Sequence, residues 1–218
     1  MRIRAVIFDI DGLMIDSERI SQRSWGQVMA DAGYPLSEEV YLQMIGRTEK
    51  DVRYILQGVY GAEFPFDSMY HRREERFNQI IAQEGMPIKA GLIQLLDFID
   101  ARGIKKAVAS STYCRLAEMK LSAAGIRERF DVLVTGDEVV HGKPAPDLFL
   151  AAAARIAAQP AECLVLEDSE AGLQAAHAAG MAVVWVPDMQ PVAESVVGLA
   201  LRQVETLAEV VGVLEEVI

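Results

Sequence analysis

Apolar residues along this chain follow two different periods. Between residues 17 and 84 they recur at helical spacing. Ile20, Ser24, Val28 and Ala32, with Trp25 and Met29 beside them, share one face until Gly33 and Pro35 stop the pattern. Ser17 is placed to cap this helix, with Glu18 in its first turn. Ser37 with Glu38 and Glu39 opens a second helix, and Thr48 with Asp51 makes a capping-box-like start for a third over 49–60. A fourth runs from about 67 to 84, ahead of Gly85 and Pro87. Outside that stretch the apolar residues gather instead into short continuous runs at 5–8, 105–109, 132–135, 163–166 and 182–186. Helical periods at 91–101, 115–124, 146–158 and 170–179 separate them, and a final helix is predicted from Thr206, where Glu209 completes a capping box. Continuous apolar runs of this length are strands buried on both faces, and strands alternating with helices pack as a parallel, doubly wound sheet. The expected architecture is therefore α/β, with a five-stranded sheet domain made of 1–15 and 85–218 and an all-helical domain inserted at 16–84.

The polar residues that follow the strands carry the candidate chemistry. The first run, Ala5-Val6-Ile7-Phe8, leads straight into Asp9 and Asp11, followed by Gly12. A turn accounts for one aspartate and a glycine, but not for two carboxylates at the end of a buried strand, where charge needs a partner. Open α/β sheets bind their ligands at the carboxyl ends of strands. Such a pair suits a hard divalent cation, and equally one nucleophile beside one acid. The second run ends in Ser110-Ser111-Thr112, whose N–H groups precede a helix and could hold phosphate, although alone this turn reads more readily as a helix cap. After the third comes Gly142-Lys143-Pro144, which presents one ammonium from a restricted backbone, or is simply a surface turn. The fourth ends in Glu167-Asp168-Ser169, a second acid pair with a helix-capping serine. Each signal is modest; four in this order at successive strand ends are not.

Taken together, Asp9-Ile10-Asp11-Gly12, Ser110, Lys143-Pro144 and Glu167-Asp168 resemble the four motifs of the haloacid dehalogenase-like phosphohydrolases, over nearly the whole chain. The stretch from Asp11 to Glu18 and the helical insert are similar to the branch holding β-phosphoglucomutase and small sugar-phosphate phosphatases, in which the insert is a cap on a Rossmann-like core. The resemblance implies a Mg²⁺-dependent phosphatase of small phosphorylated metabolites. Asp9 would be the nucleophile that becomes an aspartyl phosphate, and Asp11 the acid and base. Mg²⁺ would be held by the Asp9 carboxylate, the Asp11 carbonyl and Asp168, with Glu167 behind them or acting through water. Ser110, the N–H of Ser111 and Lys143 would grip the phosphoryl oxygens. Arg47, in the loop Gly46-Arg47-Thr48 before the third helix, would contact the substrate; a solvated surface arginine is the competing reading. Family mutases use a cap histidine, and 17–31 contains none, which disfavours the phosphosugar mutase alternative. A non-catalytic phosphoryl-binding protein would have to keep every motif residue without using it.

Composition narrows the partners. A net charge of −11 repels nucleic-acid backbones and anionic membranes over most of the surface, so an anionic substrate must be met locally. Two cysteines, far apart, fit a reducing compartment, and the four apolar residues before Asp9 are too few for a signal peptide. A cytoplasmic monomer is expected. No dinucleotide fingerprint is present, 136–143 departs from a Walker A loop, and His71, His141 and His177 lack metal-ligand spacing. His177 reads as structural, and His141 as a possible neighbour of the site through Lys143.

Overall fold

The structure, a computed structural model, describes residues 2–218, which divide into two compact units. One comprises Ser17–Gly85; the other joins the chain up to Asp16 to Met86–Ile218.

The first of these is all helical: α1 (Ser17–Asp31), α2 (Glu38–Met44), α3 (Glu49–Tyr60) and α4 (Phe66–Glu84). Ser37 and Thr48 cap α2 and α3, accepting hydrogen bonds from Val40 N and Asp51 N. Ser17 is itself the first residue of α1, so the helix begins one position earlier than the capping pattern implies. Trp25, Met29, Leu56, Phe66 and Ile80 are among the residues that form its interior. Trp25 lies beside Phe66 and Tyr70, and Arg23 makes a two-pronged ion pair with Glu84 that ties α1 to α4.

In the second unit the strands are β1 (Ala5–Phe8), β2 (Lys105–Ser110), β3 (Leu133–Thr135), β4 (Cys163–Glu167), β5 (Ala182–Trp185) and β6 (Arg202–Gln203). They form one parallel sheet in the order β3-β2-β1-β4-β5-β6. The helices are α5 (Leu92–Ala101), α6 (Cys114–Ala123), α7 (Asp147–Arg155), α8 (Glu170–Ala178), α9 (Glu194–Val197) and α10 (Val210–Val217). Every residue of β1 is fully buried. Successive side chains alternate between faces, so Ala5 and Ile7 join the cluster that includes Phe149 of α7 and Leu173 of α8. Phe8 meets Phe130 edge-on at 5.5 Å.

The sheet has six strands, not five. β6 is two exposed residues with no apolar run to announce it, and it exists because β5 offers an unpaired edge, to which Gln203 adds beside Trp185. The last helix also starts later than the pattern implies. Thr206 Oγ1 does donate to Glu209 Oε1 at 3.0 Å, but the pair closes a turn, and regular helix begins at Val210.

The chain leaves β1 towards β2 and β3 on one side and later crosses to β4, β5 and β6 on the other. The point at which the direction reverses lies between β1 and β4, where the carboxyl ends of adjacent strands open a crevice.

Candidate active site

Asp9 follows β1 and Glu167 ends β4, and the two strands run in register with Phe8 opposite Leu166. Asp9 N donates to Leu166 O at 3.2 Å, which brings the first acid pair against the second. Beyond Asp9 the chain turns tightly, with Met14 N and Ile15 N both donating to Ile10 O. Gly12 makes this turn possible. Its φ is +83°, and a side chain there would lie 2.2 Å from Asp168 Oδ2, so the backbone passes hard against that carboxylate.

Lys143 binds the two strand ends together. Its Nζ lies 2.5 Å from both Asp9 Oδ1 and Glu167 Oε1, and its side chain is only 5% exposed. Burial alone would push the lysine towards neutrality, but two carboxylates outweigh it and hold the ammonium above its usual range. Asp9 moves the other way from an ordinary carboxylate, up to about 7, because burial costs more than its share of Lys143 returns and Glu167 and Asp11 repel it. Glu167 is fully buried and completely engaged. Oε2 accepts from Asp168 N, Ser169 N and Ser169 Oγ, each at 2.9 Å, while Oε1 takes Lys143. Gly172, in the first turn of α8, leaves room for it: a side chain there would come within 1.9 Å of the Glu167 carboxylate. Gly172→Ala should therefore destabilise the protein by ~1–3 kcal/mol, read as a lowered urea midpoint. An unchanged midpoint would mean that Glu167 can move aside.

Ser110 is buried at the end of β2, with its Oγ accepting from Thr112 N at 3.2 Å. Ser111 is exposed in the same turn, ahead of α6. Arg47 lies in the helical unit, exposed, between Gly46 at φ +68° and Thr48, the cap of α3. His141 is exposed and pairs with Asp147 at 3.1 Å, and His177 is exposed on α8.

Three further residues, Lys120, Lys89 and Asp188, join the cluster without belonging to a strand-end motif, and Thr112 of the second motif joins it through its hydroxyl. Thr112 Oγ1 donates to Asp11 Oδ2 at 2.7 Å, and Lys120 Nζ to Asp11 Oδ1 at 2.6 Å. Lys89 Nζ lies 2.6 Å from Asp188 Oδ1, and Asp188 Oδ2 borders the same Gly12 backbone as Asp168. Only Asp188 had a signal of the kind sought, an acid soon after a strand.

The cluster thus sets Asp9, Asp11, Glu167, Asp168 and Asp188 against Lys143, Lys120 and Lys89. Among the described residues Asp168 alone of these acids has no lysine paired with it. Burial, then Glu167 and Asp9, hold its carboxyl well above the ordinary range. No three histidine, cysteine, aspartate or glutamate side chains among the described residues are grouped to hold a metal by themselves. The oxygen donors of Asp9 and Asp168, with two negative charges left over, nevertheless fit a divalent cation completed by main-chain carbonyl and water.

Residues 6–186 match the haloacid dehalogenase-like hydrolase family. The chain belongs to that family. It is 31% identical over 179 residues to a phosphorylated carbohydrates phosphatase of Thermotoga maritima, covering 82% of each chain. It is 30% identical over 213 residues to a β-phosphoglucomutase of Bacillus subtilis, covering 94% of this chain and 92% of that one. A family hydrolase from Deinococcus radiodurans, solved with bound phosphate and sodium, superposes with a TM-score of 0.86 at 29% identity, covering 99% of this chain and 96% of that chain.

Proposed function

We propose that this family member is a Mg²⁺-dependent phosphatase that hydrolyses a small phosphorylated metabolite, a sugar phosphate, through an aspartyl-phosphate intermediate. The observation that carries the reading is the convergence of Asp9 and Asp11 with Lys143 and the Glu167–Asp168 pair at one sheet crevice. The similarity to a carbohydrate-phosphate phosphatase, and the phosphate in the Deinococcus radiodurans relative, support it.

In this reading a carboxylate oxygen of Asp9 forms a bond to phosphorus as the bond to the sugar oxygen breaks, and Asp11 gives that departing oxygen a proton. Water then attacks the aspartyl phosphate, Asp11 takes back a proton, and inorganic phosphate leaves with Asp9 restored. Lys143, Ser110 and the N–H of Ser111 hold the phosphoryl oxygens, with the ammonium fixed by Glu167 before substrate arrives. Asp9, Asp168 and the Asp11 carbonyl would hold Mg²⁺, which when bound supplies positive charge against the phosphoryl group.

Substrate choice is assigned to the helical unit, acting as a cap, with Arg47 contributing a contact. Arg47→Ala should lower kcat/KM for the preferred sugar phosphate by ~10-fold or more, the loss of one charge-assisted hydrogen bond, while a small aryl phosphate is much less affected. Equal effects on both substrates would leave Arg47 a surface charge. Release of phosphate from a panel of sugar phosphates and nucleotides, with and without Mg²⁺, tests the whole reading; metal-independent activity, or none, would overturn it. The mutase alternative draws on similarity of the same size, but 17–31 holds no histidine to shuttle a proton at the second hydroxyl. Interconversion of glucose phosphates without phosphate release would restore it.

A further inference from the structure

Lys120 belongs to none of the strand-end motifs. It lies in the last turn of α6, where a lysine ordinarily serves the negative end of the helix dipole. Here its side chain reaches back instead, in the direction helical side chains lean. It ends 2.6 Å from Asp11 Oδ1, 109 residues away in sequence, and only 15% of it is exposed. The other carboxylate oxygen, Oδ2, takes the Thr112 hydroxyl at 2.7 Å. Both donors come from the segment that carries Ser110, β2 to α6, while Asp11 itself sits in the turn after β1.

We propose that Lys120 is a positioning residue that, with Thr112, clamps the Asp11 carboxyl by both oxygens and fixes the direction in which it delivers its proton. The proposal rests on the reading of Asp11 as the acid of a phosphatase. A carboxylate gripped at one oxygen can still swing about its side-chain bonds, whereas one gripped at both cannot. Each carboxylate oxygen has two lone-pair sites, so a donor on each does not bar the proton. When Asp11 gives the proton up, the ammonium already beside it faces the negative charge that appears, without reorganisation. The segment that places a phosphoryl-binding serine thereby also aims the acid at the bond to be broken.

The consequence depends on the leaving group. Phenyl phosphate expels a basic oxygen that needs a proton; dinitrophenyl phosphate expels one that does not. Lys120→Met keeps the aliphatic stem and removes the charge, and Lys120→Arg keeps a cation of similar reach. Lys120→Met should lose ~100-fold in kcat/KM on phenyl phosphate and less than about 3-fold on dinitrophenyl phosphate, with Lys120→Arg recovering most of the loss. A purely structural lysine would lower both rates together; equal losses, or no loss on phenyl phosphate, overturn the proposal. Wild type inactive on both substrates, or unaffected by loss of Asp9, would instead overturn the phosphatase reading. The contact has its own readout, independent of turnover: reductive methylation of Lys120, followed by mass spectrometry. It should be slow in wild type and accelerate in Asp11→Ala, and equal rates in the two would overturn the clamp.

Discussion

Asp9→Asn is expected to abolish phosphate release, by on the order of 10⁶-fold, the size of loss seen when the nucleophile of a covalent mechanism is removed. The substitution is close to isosteric, and the amide oxygen can still accept from Lys143, which keeps its second partner in Glu167. The fold should survive it. Burial already holds the Asp9 carboxyl up at about 7, so an uncharged side chain at that place relieves desolvation, and thermal stability should be equal to wild type or slightly higher. The informative result is the combination, an intact melting transition with no turnover. Metal-dependent activity well above background in this variant would remove Asp9 from the nucleophile's role.

Chelation is expected to silence the enzyme and added Mg²⁺ to restore it, and Asp168→Ala should weaken the Mg²⁺ requirement's midpoint by more than ~100-fold, exceeding the effect of losing an outer partner of a metal ligand. Asp168 carries this expectation because, among the described residues of the cluster, it is the acid with no lysine in ion-pair contact. Burial and the charges of Glu167 and Asp9 outweigh the attraction of Lys143, so in the absence of metal Asp168 is a cost to the fold. The same substitution should therefore raise the melting temperature in chelator while abolishing the rise that Mg²⁺ produces in wild type. That opposite pair of shifts separates a metal ligand from a residue that merely packs. A variant that melts lower in chelator, or still gains from Mg²⁺ as wild type does, would place the cation elsewhere.

What was legible in the sequence was everything in which a local pattern meets a chemical contradiction. A run such as Ala5-Val6-Ile7-Phe8, short and rich in β-branched residues, reads as a strand buried on both faces, and paired carboxylates at the end of such a run need a partner, which is why Asp9 with Asp11 and Glu167 with Asp168 stand out. Lys143 and Ser110 were ambiguous one at a time, a surface turn and a helix cap, and gained meaning only from their order among the strand ends, which carried the resemblance to the family. β6 was not legible, because Arg202 and Gln203 have no apolar pattern and owe their conformation to the free edge of β5. Nor were Lys120 and Lys89. By spacing the first is an ordinary lysine on a helix and the second precedes a turn; only when β2, β1, β4 and β5 are laid side by side does each ammonium meet its acid. Local periodicity determined which segments form strands and where charge interrupts them, because backbone geometry and burial act over a few residues. Tertiary structure alone decided how those charges are paired, because an ion pair depends on distances of a few ångströms between residues that the chain itself holds as many as 134 positions apart.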